Sequence, residues 1–368
     1  MKIPLGNMLL GFIGEKSVEQ AQKMYLPGFV YREKESIDSL GAWIVSKTEN
    51  IVPLGAFVEE QERMELDSED MTTYQMILLQ QANDENAVDE NGRLIGKDDS
   101  ASTIYTKGVP IDTSLERMKD FDYLLSNFYT VDSSTMIRED ELNGEMLLSK
   151  NMKVNQETKG PKILIYHTHS QEAFVDSVSG DTSTTIVGMG EYLTKLLNET
   201  YNIETIHHTG VYDLINGHLD RSKAYDLAKP DIQKILQENP TIEVVIDLHR
   251  DGVGENTHLV TEVNGQPTAQ IMFFNGLSKT RANGEIDYLA NPYIQDNLAF
   301  SLQMQLAANA KYPGFTRRIY LRGYRYNMHF MPKSLLIEAG AQTNTVQEMR
   351  NAMEVLADIL DTVLVSGK

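Results

Sequence analysis

KILIYHTHSQEAF, residues 162–174, runs from a short continuous apolar segment straight into His167, His169 and Glu172. A four- or five-residue apolar run bounded by polar residues reads as a buried strand. Downstream, IVGMGEYLTKLLNETY (186–201) has helical spacing and IETIHH (203–208) reads as a second strand. AYDLAKPDIQKILQENP (224–240) is the next helix and EVVIDLHRD (243–251) the next strand. TAQIMFFNG (268–276) follows the hairpin-like EVNGQP as another strand, and NPYIQDNLAFSLQMQLAANAKYP (291–313) is a long helix. SLLIEAGAQ (334–342) and VQEMRNAMEVLADILDTVL (346–364) close the series as strand and helix. Strands alternating with helices predict an α/β fold with a central mixed, mostly parallel sheet flanked by helices on both faces. Ligands in such sheets bind beyond the carboxyl ends of strands.

The amino-terminal side has a different texture. Between Ile51 and Ser100 there are 13 Asp and Glu against three Lys and Arg, with NDENAVDENGR and GKDDSAS as loop-like tracts. Residues 1–109 therefore read as an acidic, partly disordered spacer with short helices, and 110–368 as the folded domain. The apolar stretch Met8 to Ile13 is far shorter than the ~20 residues that cross a membrane, so no span is expected in the chain as written. With 53 acidic and 33 basic residues and a formal charge of -20, the 368-residue chain repels phosphate backbones, which excludes nucleic acid as a partner. The chain has no cysteine, so disulfides, thiolate metal sites and cysteine nucleophiles are excluded and any metal must sit on His, Asp and Glu.

All eight histidines lie at or after His167. Three polar clusters fall at predicted strand ends: His167, His169 and Glu172; His249, Arg250 and Asp251; and Glu338. A lone strand-end histidine is ordinarily a hydrogen-bonded structural residue. Three such clusters brought to one rim point instead to a metal centre. His169 and Glu172, three apart, can converge on one ion, and His249 completes a His/Glu/His set that leaves a fourth zinc position open to water. His167 is read as a supporting group, a substrate contact or itself the ligand. Glu338 near such an ion is read as a general base, or else as a paired structural acid or further ligand. Arg250 is read as a carboxylate or oxyanion contact and Asp251 as a residue orienting a ligand imidazole. FTRRIYLRGYRYN, with Arg317, Arg318, Arg322 and Arg325, is the densest positive segment and is read as a cleft wall for an anionic, sugar-bearing substrate or as a solvated strand and loop. His329 just beyond it is a further cleft candidate. His207, His208, His218 and His258 are assigned surface or structural roles.

NFYTVDSSTM (127–136), ILIYHTHSQEAF, GHLDRSKAYD, VVIDLHRDG, MFFNG, NLAFSLQMQ, YPGFTRRIYLRGYRYNMH and LLIEAGAQTNT together resemble the stage II sporulation protein P family of peptidoglycan hydrolases. The resemblance covers about residue 110 to the C-terminus. It implies an amidase-type fold, Zn2+ as cofactor and cleavage of the amide between N-acetylmuramic acid and L-alanine by zinc-activated water during engulfment, with peptide cross-links as a further target. By resemblance His169, Glu172 and His249 are the zinc ligands and Glu338 the base, with Asp181 or Glu191 as the fallback for Glu172. The implied partners are a sporulation membrane scaffold and a lytic transglycosylase, and the implied location is the extracytoplasmic face of the cell membrane at the sporulation septum. A zinc carboxypeptidase or endopeptidase acting on wall peptides, or a non-catalytic wall-binding module, is the competing reading.

Overall fold

In a computed structural model of the protein the described residues are 111–366 apart from 283, together with the two-residue strand Ser102–Thr103. The acidic spacer assigned to residues 1–109 lies almost wholly outside the described residues, as does its boundary with the folded domain.

The central sheet has seven strands: β1 (Tyr129–Val131), β2 (Ile163–Tyr166), β3 (Thr205–His207), β4 (Val244–Asp251), β5 (Ile271–Gly276), β6 (Ile319–Arg322) and β7 (Lys333–Ala341). Four long helices accompany it: α1 (Ile186–Glu199), α2 (Ala224–Glu238), α3 (Ile294–Lys311) and α4 (Val346–Asp361). The strand order is β1-β6-β5-β7-β4-β2-β3. β3, β2, β4 and β7 run parallel; β5 is antiparallel to β7, and β6 and β1 run with β5. The sheet is thus mixed and mostly parallel. From β2 the chain moves outward to the edge strand β3, then returns past β2 to β4. A crevice opens between the carboxyl ends of β2 and β4, the kind of switch point at which open α/β sheets place ligands.

Side chains alternate across each strand, and the two faces have different cover. Ile163 and Ile165 of β2, Ile246 and Leu248 of β4, Phe273 of β5 and Ile337 of β7 belong to the main core together with residues of α1, α3 and α4. On the opposite face Leu164, Tyr166 and Val245 pack against Ala224, Ala228 and Ile232 of α2. Helices therefore cover both faces, three on one and one on the other. Beyond that helix, Leu336 of β7 and Phe274 of β5 are covered by Ile286, Tyr324, Tyr326 and Met328 of connecting segments, and a groove lies beside this cluster over Met272, Tyr320, Arg322 and Glu338.

Two segments differ from the sequence expectation. TAQIMFFNG does not form one strand: Thr268 and Ala269 end a hairpin, Val260–Val263 with Gln266–Ala269, and β5 begins at Ile271. Asn264 and Gly265 carry φ of 52° and 77°, the left-handed pair that a two-residue hairpin turn requires. The second difference is β6, an interior strand built on Ile319 and Leu321, both fully buried, with Tyr320 and Arg322 on the groove face. Two buried side chains between arginines make too short an apolar signal to separate a strand from a loop.

Candidate metal centre

β2 ends at Tyr166, and the chain that follows is held by two buried carboxylates. Asp247, inside β4, accepts from Thr168 N at 2.9 Å and from the Thr168 hydroxyl. Asp213 accepts from Ser170 Oγ at 2.9 Å and from Gln171 N at 3.0 Å. These bonds present His169 and Glu172 to the end of β4, where His249 stands two residues past Asp247. The strand alternation that sequence reading extends through His167 to His169 therefore holds to His167, on the face of Ile163 and Ile165, and breaks before His169. His167 turns toward α1, its Nδ1 2.7 Å from Leu248 O and its Nε2 2.8 Å from His207 Nε2. Burial and the neighbouring His207 lower its pKa to about 3, so the ring is neutral.

One donor atom each from His169, Glu172 and His249 lies within 4.8 Å of the others, and all three residues are buried. His169 Nδ1 is 3.7 Å from Glu172 Oε1, and His249 Nδ1 is 3.8 Å from Glu172 Oε2. Those separations are too long for hydrogen bonds. They are near the roughly 3.3 Å edge that zinc–ligand bonds of about 2.0–2.1 Å give a tetrahedron. His249 Nε2 lies 2.8 Å from Asp247 Oδ1, the carboxylate–histidine arrangement that orients metal ligands. Glu172 is anchored as well: Arg250 N donates to its Oε2 at 2.8 Å and Arg221 Nη2 lies 3.4 Å from Oε1. Three donors of suitable type, two of them held from behind by polar groups, fit a divalent ion.

The electrostatics agree. Burial disfavours an ionised Glu172, yet His169, Arg221 and His249 outweigh it and hold the carboxyl well below its usual range. Burial likewise disfavours a charged His249, but Asp247 and Glu172 lift its pKa to about 10. Without an ion the cluster keeps a proton at His249. A dication held by these donors would answer the same demand for positive charge.

Glu338 is the Cα partner of His249 across the β7–β4 pairing. Its Oε2 is buried with no hydrogen-bond partner. Burial and then Asp251 push its pKa up to about 8, against the opposing pull of His249. Asp251 itself is bound by Arg317, Nη2 to Oδ2 at 2.5 Å, and Asp247, not Asp251, is the carboxylate beside the His249 imidazole. Arg250 donates through Nε to Ala173 O at 3.1 Å and through Nη1 to Asp251 O at 3.2 Å, which ties the Glu172 loop to β4.

The groove over this cluster has a volume of about 640 Å³ and extends to Arg317, Arg318, Tyr320, Arg322 and Tyr326. Arg325 and His329 are not among its lining residues. After β6 the backbone passes through Tyr326 and Asn327 at φ 49° and 55°, and this turn brings Tyr326 to the groove. Arg325 Nη1 donates to Ala290 O at 3.3 Å instead. His329 stacks near Phe330 with ring centroids 4.8 Å apart, and burial lowers its pKa to about 3. Asp181 accepts from Ser183 N and Glu191 pairs with His207, so neither joins the cluster.

Asp247, Asp213, Arg221 and Tyr225 are site residues that the sequence reading does not single out. Asp247 carried a signal: an ionisable residue inside the continuous apolar run of β4 is costly unless it is partnered. Tyr225 sets its ring edge to His169, centroids 5.7 Å apart, and nothing in its helical context marks it.

The stage II sporulation protein P family model matches residues 38–361. The stage II sporulation protein P of Bacillus subtilis is 24% identical over 220 residues, covering 55% of this chain and 52% of that protein, so the chain spans about half the length of the curated relative it matches. Among solved structures, the catalytic domain of CwlV, an N-acetylmuramoyl-L-alanine amidase from Bacillus (Paenibacillus) polymyxa, is 12% identical, with 55% of this chain and 97% of that one covered at a TM-score of 0.29. The N-acetylmuramoyl-L-alanine amidase of Clostridium difficile is 14% identical, with 55% and 94% covered at 0.30. A metallo-carboxypeptidase from Burkholderia cenocepacia is 11% identical, with 56% and 58% covered at 0.30. At these scores the likeness is slight, and the fold stands on its own strand order.

Proposed function

The chain belongs to the stage II sporulation protein P family, and from that premise we propose that it is a sporulation peptidoglycan hydrolase that cleaves the amide between N-acetylmuramic acid and L-alanine at a zinc centre. The observation that carries the reading is the buried His169, Glu172 and His249 donor set with the unpartnered Glu338 carboxyl beside it, in a groove roomy enough for a polymer segment. His169, Glu172 and His249 would hold the ion, and a His/carboxylate set suits zinc. When bound, the ion supplies Lewis acidity at the scissile carbonyl. Glu338 takes a proton from the attacking water and returns it to the leaving nitrogen. Its lack of a hydrogen-bond partner leaves it available for both transfers.

Asp247 has a separate task in this proposal, to keep the His249 ring turned with Nδ1 toward the ion. Asp247→Asn is expected to weaken zinc binding by roughly 10–100-fold, as measured by competition with a chromophoric chelator. Unchanged zinc affinity would remove Asp247 from the site.

The proposed location is the outer face of the membrane at the sporulation septum, with a septal scaffold and a lytic transglycosylase as partners. Among the described residues no helix is long and apolar enough to cross a membrane.

The reaction is tested by incubating zinc-loaded protein with purified peptidoglycan and analysing the products by mass spectrometry. Free peptides beginning with L-alanine and glycan strands with unsubstituted lactyl groups are expected. Products in which glycan and stem peptide remain joined, with only peptide bonds cut, identify a peptidase and overturn the amidase assignment. Wall binding without turnover identifies a docking module.

A further inference from the structure

Resting on the metal-centre reading above, we propose that the hairpin Leu214–Leu219 is a clasp on that centre. Asp213 and Arg221 at its two feet are positioning residues that hold His169 and Glu172 in place, so that ion binding and closure of the hairpin are one coupled event. The hairpin is short, Leu214–Ile215 against His218–Leu219, turned by Asn216 and Gly217 at φ 52° and 80°. A two-residue ladder has little stability of its own. Among the described residues, Leu214, Ile215 and Leu219 join none of the buried clusters, and Leu214, Asn216, Gly217 and His218 are exposed. Tyr212 and Ala224 on either side belong to the cluster between α2 and the sheet, so the part free to move is 213–223.

Both feet reach inward to the same loop. Asp213 is fully buried and its carboxylate accepts from Ser170 Oγ and Gln171 N, while buried Arg221 sets Nη2 3.4 Å from Glu172 Oε1. Asp220 N donates to Asp213 O at 2.9 Å and so draws the two feet together. The loop that carries His169 and Glu172 therefore stands between two jaws. One is β4, an interior strand, which grips it through Asp247 on Thr168 and through Arg250 on Glu172 and Ala173. The other is the hairpin, which is fastened mainly by the loop that it fastens.

Coupling follows from what these bonds require. The charge-assisted bonds to Asp213 and the Arg221–Glu172 pair form only when the hairpin is closed and the loop has its present geometry. His169, Glu172 and His249 can share an ion only in that same geometry. By linkage, the factor by which a closed hairpin strengthens ion binding is the factor by which the ion strengthens closure. Loss of a group behind a metal ligand weakens binding roughly 10–100-fold. None of residues 214–219 lines the groove, so a change at the turn acts on the centre only through the two feet.

Hydrogen exchange of the whole chain, read by mass spectrometry with and without saturating zinc, tests the clasp. Backbone amides of 214–220 are expected to exchange about 10- to 100-fold more slowly with zinc. Asp213→Asn and Arg221→Ala are expected to weaken zinc binding by a factor of that size in competition with a chromophoric chelator, and to abolish the zinc-dependent slowing. Arg221→Lys is expected to recover part of both. Gly217→Val decides the matter independently of any folding defect caused by changing buried Asp213. Open space surrounds the Cβ position of Gly217, and its positive φ strains the turn once a side chain is added. A fall in zinc affinity of up to about tenfold is expected there. Exchange across 214–220 that ignores zinc, or wild-type zinc affinity in both Gly217→Val and Arg221→Ala, overturns the clasp, and continued cleavage of the wall amide then leaves the hydrolase reading standing. Zinc-slowed exchange in a protein that cleaves no such amide upholds the clasp and overturns the hydrolase reading.

Discussion

Glu338→Gln protein is expected to retain zinc at one ion per chain and to cleave peptidoglycan about 10²- to 10⁴-fold more slowly, the usual contribution of a positioned acid–base group. The substitution keeps the side-chain shape and removes only the capacity to accept a proton. It also supplies a pH signature. A general base works ionised, so cleavage falls as pH drops through the pKa of Glu338. Burial and Asp251 set that pKa at about 8 without an ion, and His249 already pulls it down. A dication beside it pulls further, so the acid limb of kcat/KM lies below pH 8 in wild type and is absent in the variant.

A second readout follows from linkage in the metal-free protein. The folded-state pKa of Glu338 is raised from 4.5 to about 8. Its favourable contribution is therefore fully present below about pH 4.5 and lost as pH rises toward 8. The metal-free variant has no such loss, and is expected to melt at a higher temperature than metal-free wild type at pH 8. Metal retention with normal cleavage would assign the base to another residue.

His249→Ala is expected to lower zinc affinity by more than the roughly 10–100-fold assigned to Asp247→Asn and to bring wall cleavage to background. A stability cost accompanies it, because Asp247 loses its cationic partner. Breaking a buried pair from one side costs about 3–5 kcal/mol, lessened here by the two bonds from Thr168. His169→Ala provides the contrast, since it removes a donor and leaves the Asp247–His249 pair intact. Equal metal loss with a smaller fall in melting temperature is expected. Zinc content measured by mass spectrometry and thermal melts followed by circular dichroism make the comparison, and full zinc occupancy in either alanine variant would remove that histidine from the ligand set.

Much of this architecture was legible in the sequence because buried parallel strands advertise themselves as apolar runs. KILIY and EVVIDL are such runs, and each ends where polar chemistry begins. β1 and β6 were not legible, since four residues such as IYLR carry a period of two for barely one repeat. The antiparallel placement of β5 against β7 was also beyond reach, because strand direction depends on where a crossover lands and not on the strand's own residues. His167 illustrates a third limit. Its direction follows from alternation in β2, whereas that of His169 follows from bonds to Asp247 and Asp213 formed after the strand has ended. Arg325 and His329 sit outside the groove for a related reason: two left-handed residues redirect the chain between them, and neither Tyr326 nor Asn327 is a glycine that would have announced the turn.

The unequal covering of the sheet has a consequence for how the protein tolerates change. Along β7, Leu335, Ile337 and Ala339 fill the core beneath three helices, while Leu336 and Glu338 face the groove. Phe273 of β5 and Leu321 of β6 likewise belong to the core, and their neighbours Met272, Tyr320 and Arg322 to the groove. Each of these strands interleaves two vocabularies, one answerable to folding and one to chemistry, read at alternate positions. Substitutions at the half-buried groove positions Met272, Tyr320 and Arg322 are therefore expected to disturb the main core far less than substitutions at Phe273, Leu321 or Ile337, although Leu336 packs into a cluster of its own.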